Sequence, residues 1–78
     1  MNEPKPIEIS SDAEGRPLSV NRRGQKLRVL GIQNEWRIDD EWWREPLARR
    51  YYLLHLAGGR LLSVFQDLNS GAWYEQRA

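Results

Sequence analysis

The sequence contains no cysteine and a single histidine. The first absence excludes disulfides, thiolate metal sites and cysteine nucleophiles, and one imidazole cannot supply the several nitrogen or sulfur ligands of an ordinary zinc sphere. Long apolar runs are missing too. No uncharged stretch approaches the roughly 18 residues that a membrane span needs, and Met1 to Ser10 has no cationic region leading into an apolar one. These absences suit an intracellular chain, and the cytoplasm is the expected location. Nor is there an excess of one charge. Twelve Lys and Arg stand against eleven Asp and Glu, for a formal net charge of +1, so attraction to a polyanion must come from local patches. Gly58-Gly59 lacks the Lys-Ser/Thr that completes a phosphate loop, and Gly15, Gly24, Gly31 and Gly71 are scattered at turns or bends. No internal repeat, heptad pattern or low-complexity tract is present. No cofactor is implied.

What remains is a chain of 78 residues, enough for one small domain and one core. A domain this size hides a smaller share of its surface than a large one, so bulky side chains must compensate. The four tryptophans meet that need.

Residues 1–14 read as a flexible N-terminal tail, with Pro4 and Pro6 removing backbone donors and Ile7-Glu8-Ile9 able to add an edge strand. The folded unit spans 15–78. Leu18-Ser19-Val20 and Gln25 to Val29 alternate at period two around the turn-forming Asn21-Arg22-Arg23-Gly24, which predicts a hairpin. After Val29 the apolar positions change parity to Leu30, Ile32, Trp36 and Ile38, so a bulge or bend is expected near Leu30-Gly31. Arg37 to Leu47 is acidic and broken by Pro46, and is expected to form a structured crossover loop. Arg49 to Ala57 and Arg60 to Asp67 carry the strongest strand signals, joined by a two-residue turn at Gly58-Gly59. Asp67 to Gly71 reads as a longer loop before a last strand at 72–76.

About five short antiparallel strands joined by short turns predict an all-β fold. It would be a small open barrel or strongly twisted meander with SH3-like geometry, because closure protects edges and encloses the aromatic core.

Two basic pairs stand out as candidate contacts for phosphates: Arg22 and Arg23 at a hairpin tip, and Arg49 and Arg50 at a strand start, with Arg16, Arg28 and Arg60 available to join them. Trp42 and Trp43 cannot both face the same way on an extended segment, so one is expected in the core and the other as a lid or contact. Tyr52, Leu54 and Leu56 form the more uniformly apolar set and are placed inside. That choice leaves Tyr51, Leu53 and His55 on the other face, where apolar groups can mark a partner surface or a dimer seam. Asp39, Asp40, Glu41 and Glu45 lack the spacing of a cation loop and read as a solvated acidic stretch. His55 has no nucleophile or ligand partner in the sequence and reads as a surface residue.

Gly15-Arg16-Pro17, Gly24, Trp36, Glu41-Trp42-Trp43-Arg44, Tyr51-Tyr52, Asp67-Leu68, Gly71 and Trp73-Tyr74 occur in that order. The series resembles a bacterial family of unknown function, in its short stand-alone form, related to the C-terminal segment of the polymerase-like mutagenesis protein ImuB. The resemblance covers Ile7 to Tyr74. This chain departs from the family where aromatic residues are usual near Val20, Arg22 and Leu27. The resemblance implies a DNA-repair setting and no reaction. The expected function is a non-catalytic accessory or adaptor module that binds a protein partner, the chain itself being a monomer or weak homodimer. The alternative is a weak single-stranded nucleic-acid-binding module, with arginines on phosphates and Tyr51 or a tryptophan stacked on bases.

Overall fold

The structure, a computed structural model, describes residues 4–42 and 45–76, and of 41, 42 and 45 the backbone alone. Seven strands and no helix occur among the described residues: β1 (Lys5–Pro6), β2 (Glu8–Ser11), β3 (Pro17–Arg22), β4 (Gln25–Trp42), β5 (Glu45–Leu56), β6 (Arg60–Asp67) and β7 (Trp73–Glu75). Among the described residues there is therefore no helix long and apolar enough to cross a membrane. The strands form one antiparallel sheet in the order β1-β7-β6-β5-β4-β3-β2, curled into a half-barrel. The all-β class is as expected, with seven strands in place of five.

Residues 5–11, expected to be a tail able to add a strand at 7–9, lie in the sheet. Lys5 and Pro6 pair with Glu75 and Tyr74, while Glu8, Ile9 and Ser10 pair with Asn21, Val20 and Ser19. Between them Ile7 donates its N–H to the carbonyl of Trp73 at 3.1 Å. One N-terminal segment thus touches both ends of the sheet, which blunts two edges at once.

The turns follow from residues that accept positive φ. Arg22 pairs with Gln25, leaving Arg23 and Gly24 as a two-residue turn with φ of 53° and 76°, the twist that suits a tight hairpin. The β5–β6 turn is one residue longer than expected. Leu56 pairs with Arg60, so Ala57, Gly58 and Gly59 form the loop, and both glycines have positive φ.

Two bulges in β4 replace the single parity change read from the sequence. Register shifts fall between Val29 and Gly31 and between Ile32 and Asn34, setting Leu30 and Gln33 out of step. The first shift keeps Val29 and Ile32 on the same, inner face. The second turns Trp36 and Ile38 to the outer one.

The inner face holds the core. Val20, Tyr52, Leu54, Leu56, Leu62, Val64 and Trp73 are buried together, with Ile7, Ile9, Leu27, Val29 and Ile32 packed against them. Tyr52, Leu54 and Leu56 lie inside, as their alternation required. Burial raises the pKa of the Tyr52 hydroxyl above 10.0, an effect that neighbouring Arg50 partly offsets. The folded state therefore holds this proton more tightly than the unfolded chain. The resulting stability is complete below about pH 10 and is lost as pH rises through the higher folded value. Alkaline titration of the wild type should show unfolding that Tyr52→Phe delays; identical alkaline midpoints for the two proteins would remove Tyr52 as the cause.

The expected crossover loop at 37–47 is instead a hairpin arm. Pairing between β4 and β5 continues from Trp36–Tyr51 out to Trp42–Glu45, whereas β6 leaves β5 at Arg49. Pro46 is tolerated in this strand because its carbonyl, which accepts from Asn69 Nδ2 at 3.0 Å, points away from β4. The proline nitrogen then faces the sheet edge, where no donor is required. Leu68 braces the same side by donating its N–H to the carbonyl of Ala48 at 2.9 Å.

Candidate functional site

Alternation along β5 sends Leu47, Arg49, Tyr51, Leu53 and His55 to the outer face, opposite the core. The three-residue turn then sets Phe65 beside Tyr51, and the second β4 bulge sets Trp36 on its other side. Tyr74 of β7 pairs with Phe65. The result is a ladder of four rings across four strands. Trp36 stacks on Tyr51 with centroids 5.3 Å apart and planes 6° from parallel. Tyr51 meets Phe65 at 5.1 Å, and Phe65 meets Tyr74 at 5.1 Å. Pairs of this geometry each add about 0.5–1.5 kcal/mol beyond the area they bury.

Arg49 completes the middle of the ladder. Its guanidinium carbon lies 4.4 Å from the Phe65 ring centroid, and Nη1 donates to the Tyr51 hydroxyl at 3.2 Å. Together with the flanking rings it leaves Phe65 only 2% exposed on a face that otherwise meets solvent. The arginine acts here through its flat face and its stem as much as through its charge.

Along the ladder, exposure increases from Phe65 to Trp36. Trp36 is 40% and Ile38 39% exposed, two residues apart on one strand and on one face. Charges of both signs surround them. Arg49 is the register partner of both Ile38 and Asp67. On the reverse of the strand Arg37 pairs with Asp39 at 2.8 Å, and the hydrogen bond and charge of Asp39 raise the pKa of that guanidinium.

The arginines chosen from the sequence do not converge. Arg22 forms an ion pair with Glu75 at 2.8 Å, Arg23 occupies the β3–β4 turn, and Arg49 lies over Phe65. Arg50 is on the opposite face from Arg49, with Arg37 and Gln66 as register partners. Tyr51 is half-buried between Trp36 and Phe65. Trp43 and the side chain of Trp42 lie outside the described residues. Trp36, Ile38, Phe65 and Tyr74 are the members of the face that the sequence reading left out. Their signal was present in the alternation of β4, β6 and β7, but it required the turn length and the Gln33 bulge to be known.

Among the described residues, no group of three His, Cys, Asp or Glu side chains is placed to hold a metal ion. No family model, curated protein or solved structure matches the chain.

Proposed function

We propose that the chain is a non-catalytic adaptor module that binds a protein partner through the outer face at the base of the β4–β5 arm, with Trp36, Ile38 and Tyr51 as the apolar centre. The observation that carries this reading is a pair of large, partly exposed apolar side chains on a braced hairpin, with Arg49 and Asp67 in register with Ile38 on the same face. Apolar anchors inside a mixed polar rim are the anatomy of a protein interface. A nucleic-acid surface would instead gather cations beside an open ring, and here Arg22 and Arg49 are engaged within the fold. The resemblance to the ImuB-related family supports a bacterial DNA-repair or mutagenesis setting in the cytoplasm.

The test compares immobilised wild type with Trp36→Ala/Ile38→Ser in affinity enrichment from nuclease-treated cell extract. A defined polypeptide held by the wild type should bind the variant about tenfold or more weakly, the loss expected when anchors are truncated. Equal retention would remove the face from the reading. In parallel, the wild type is titrated with labelled single-stranded DNA at low and moderate salt. Salt-sensitive binding lost in Arg49→Ala/Arg50→Ala would turn the assignment toward nucleic acid.

A further inference from the structure

The arm has a second open feature besides its apolar face. β4 pairs with β3 only over Gln25–Arg28, so on that side the stretch Asn34–Asp39 has no strand partner among the described residues. Which backbone groups face this opening follows from the hydrogen bonds around it. The carbonyls of Pro46 and Ala48 point away from β4. In an antiparallel ladder this turns the odd residues of β5 toward β4, where Tyr51, Arg49 and Leu47 meet Trp36, Ile38 and Asp40. The peptide groups of Glu35, Arg37 and Asp39 are then directed to the open side. Consistently, Glu35 gives its N–H to the Oδ1 of Asn34 at 2.9 Å, not to β5.

An open edge this long and free of proline invites another strand. We infer that its occupant is a second copy of this chain, paired antiparallel about a two-fold axis at Trp36. Among axes at Glu35, Trp36 and Arg37, the charges of the edge select that register. A two-fold axis normal to the sheet opposes residues of the same face, so the choice lies among a few axes. Centred on Trp36, the pairing sets Glu35 against Arg37 of the partner subunit and Arg37 against the partner's Glu35, with Asn34 against the partner's Ile38. No like charges meet. Centred on Arg37, it opposes two arginines and sets Glu35 against the partner's Asp39. Centred on Glu35, it opposes two glutamates. Like charges directly opposite each other destabilise a strand pair, and opposite charges stabilise it.

The Trp36 axis has a second consequence. Because the Trp36 backbone bonds to β5, Trp36 and the partner's Trp36 form a non-hydrogen-bonded pair, with Cα atoms about 4.5 Å apart and side chains close. The four-ring ladder of one chain then continues into that of the other. Forming the dimer exchanges the Glu35 N–H bond to Asn34 Oδ1 for one to the carbonyl of the partner's Arg37. This self-association shares Trp36 and Ile38 with the adaptor face but does not require that reading, and its test uses the purified chain alone.

Sedimentation of the wild type over a concentration series should show a monomer–dimer equilibrium. Glu35→Lys alone and Arg37→Glu alone each create two like-charge contacts and should weaken association about tenfold or more. Mixing the two variants restores both contacts with opposite sign, so the mixture should regain dimer that neither variant forms alone. As a second readout, the wild type has no cysteine. Trp36→Cys should oxidise to a disulfide-linked dimer, the spacing lying within the ~4.4–6.8 Å that such a bond spans, whereas Ile38→Cys should not. A wild type that stays monomeric, a mixture that does not associate, or cross-linking at 38 in preference to 36 would each overturn the proposal.

Discussion

Tyr52→Ala is expected to lower the free energy of unfolding by about 3–5 kcal/mol. Tyr52 is 1% exposed and packs on Trp73 with ring centroids 5.6 Å apart. Its strand is held on both sides, by Glu35 of β4 and Val64 of β6, so the backbone cannot close over the void. Most of the lost ring volume therefore persists as a cavity. In a domain whose whole stability is about 5–15 kcal/mol, such a loss leaves a visible unfolded fraction at moderate denaturant.

The informative comparison is with the residue next to it. Tyr51→Ala removes a ring of similar size from the outer face, where Tyr51 is only half-buried, and should cost about 1–2 kcal/mol through lost stacking and the lost Arg49 contact. Urea titrations followed by tryptophan emission would give both values. Equal losses at 51 and 52 would mean that the two faces of β5 are wrongly assigned.

That assignment was legible in the sequence, because Tyr52, Leu54 and Leu56 alternate without interruption and period-two burial needs nothing else. The hairpin at Arg23-Gly24 was legible for a similar local reason. The outer face was not, since it depends on two single-residue shifts that alternation cannot count. Had the β5–β6 turn been the two residues Gly58-Gly59, Ala57 would pair with Arg60 and Phe65 would stand beside Tyr52 in the core. The observed pairing of Leu56 with Arg60 moves Phe65 to the side of Tyr51. In the same way, reading Trp36 and Ile38 with Ile32 as one parity set misses the bulge at Gln33, which sends the first two outward. A one-residue slip exchanges every later side chain between faces.

The arm at 37–47 is hidden from the sequence for a different reason. Pro46 and the acids around it argue against a long helix and lead to the expectation of a loop, where β4 and β5 instead pair. What local signals cannot express is that β6 stops at Asp67, which makes this part of β5 an edge where a proline does no harm.

The ion pair between Arg22 and Glu75 should give the second large effect. Glu75 is 7% exposed, and its Oε1 lies 2.8 Å from Arg22 Nη2, while 24% of the Arg22 side chain remains accessible. The two residues sit on β7 and β3, which are not hydrogen-bonded to each other but are joined through the N-terminal segment, β1 pairing with β7 and β2 with β3. The bridge thus ties together the two ends of the sheet across that segment. Removing Arg22 leaves a carboxylate with little access to water, a larger penalty than the loss of an exposed pair. Arg22→Ala should cost about 2–3 kcal/mol, below the value for a fully buried pair because Arg22 keeps some solvent and Lys5 is the register neighbour of Glu75. Arg22→Met/Glu75→Leu, which leaves no charge unpaired, should return to within about 1 kcal/mol of wild type. Denaturant titration of the three proteins decides the matter. If the single and double variants were equally destabilised, the loss would come from Arg22 packing and the pair itself would contribute little. If Arg22→Ala were neutral, the bridge would not hold the ends of the sheet together.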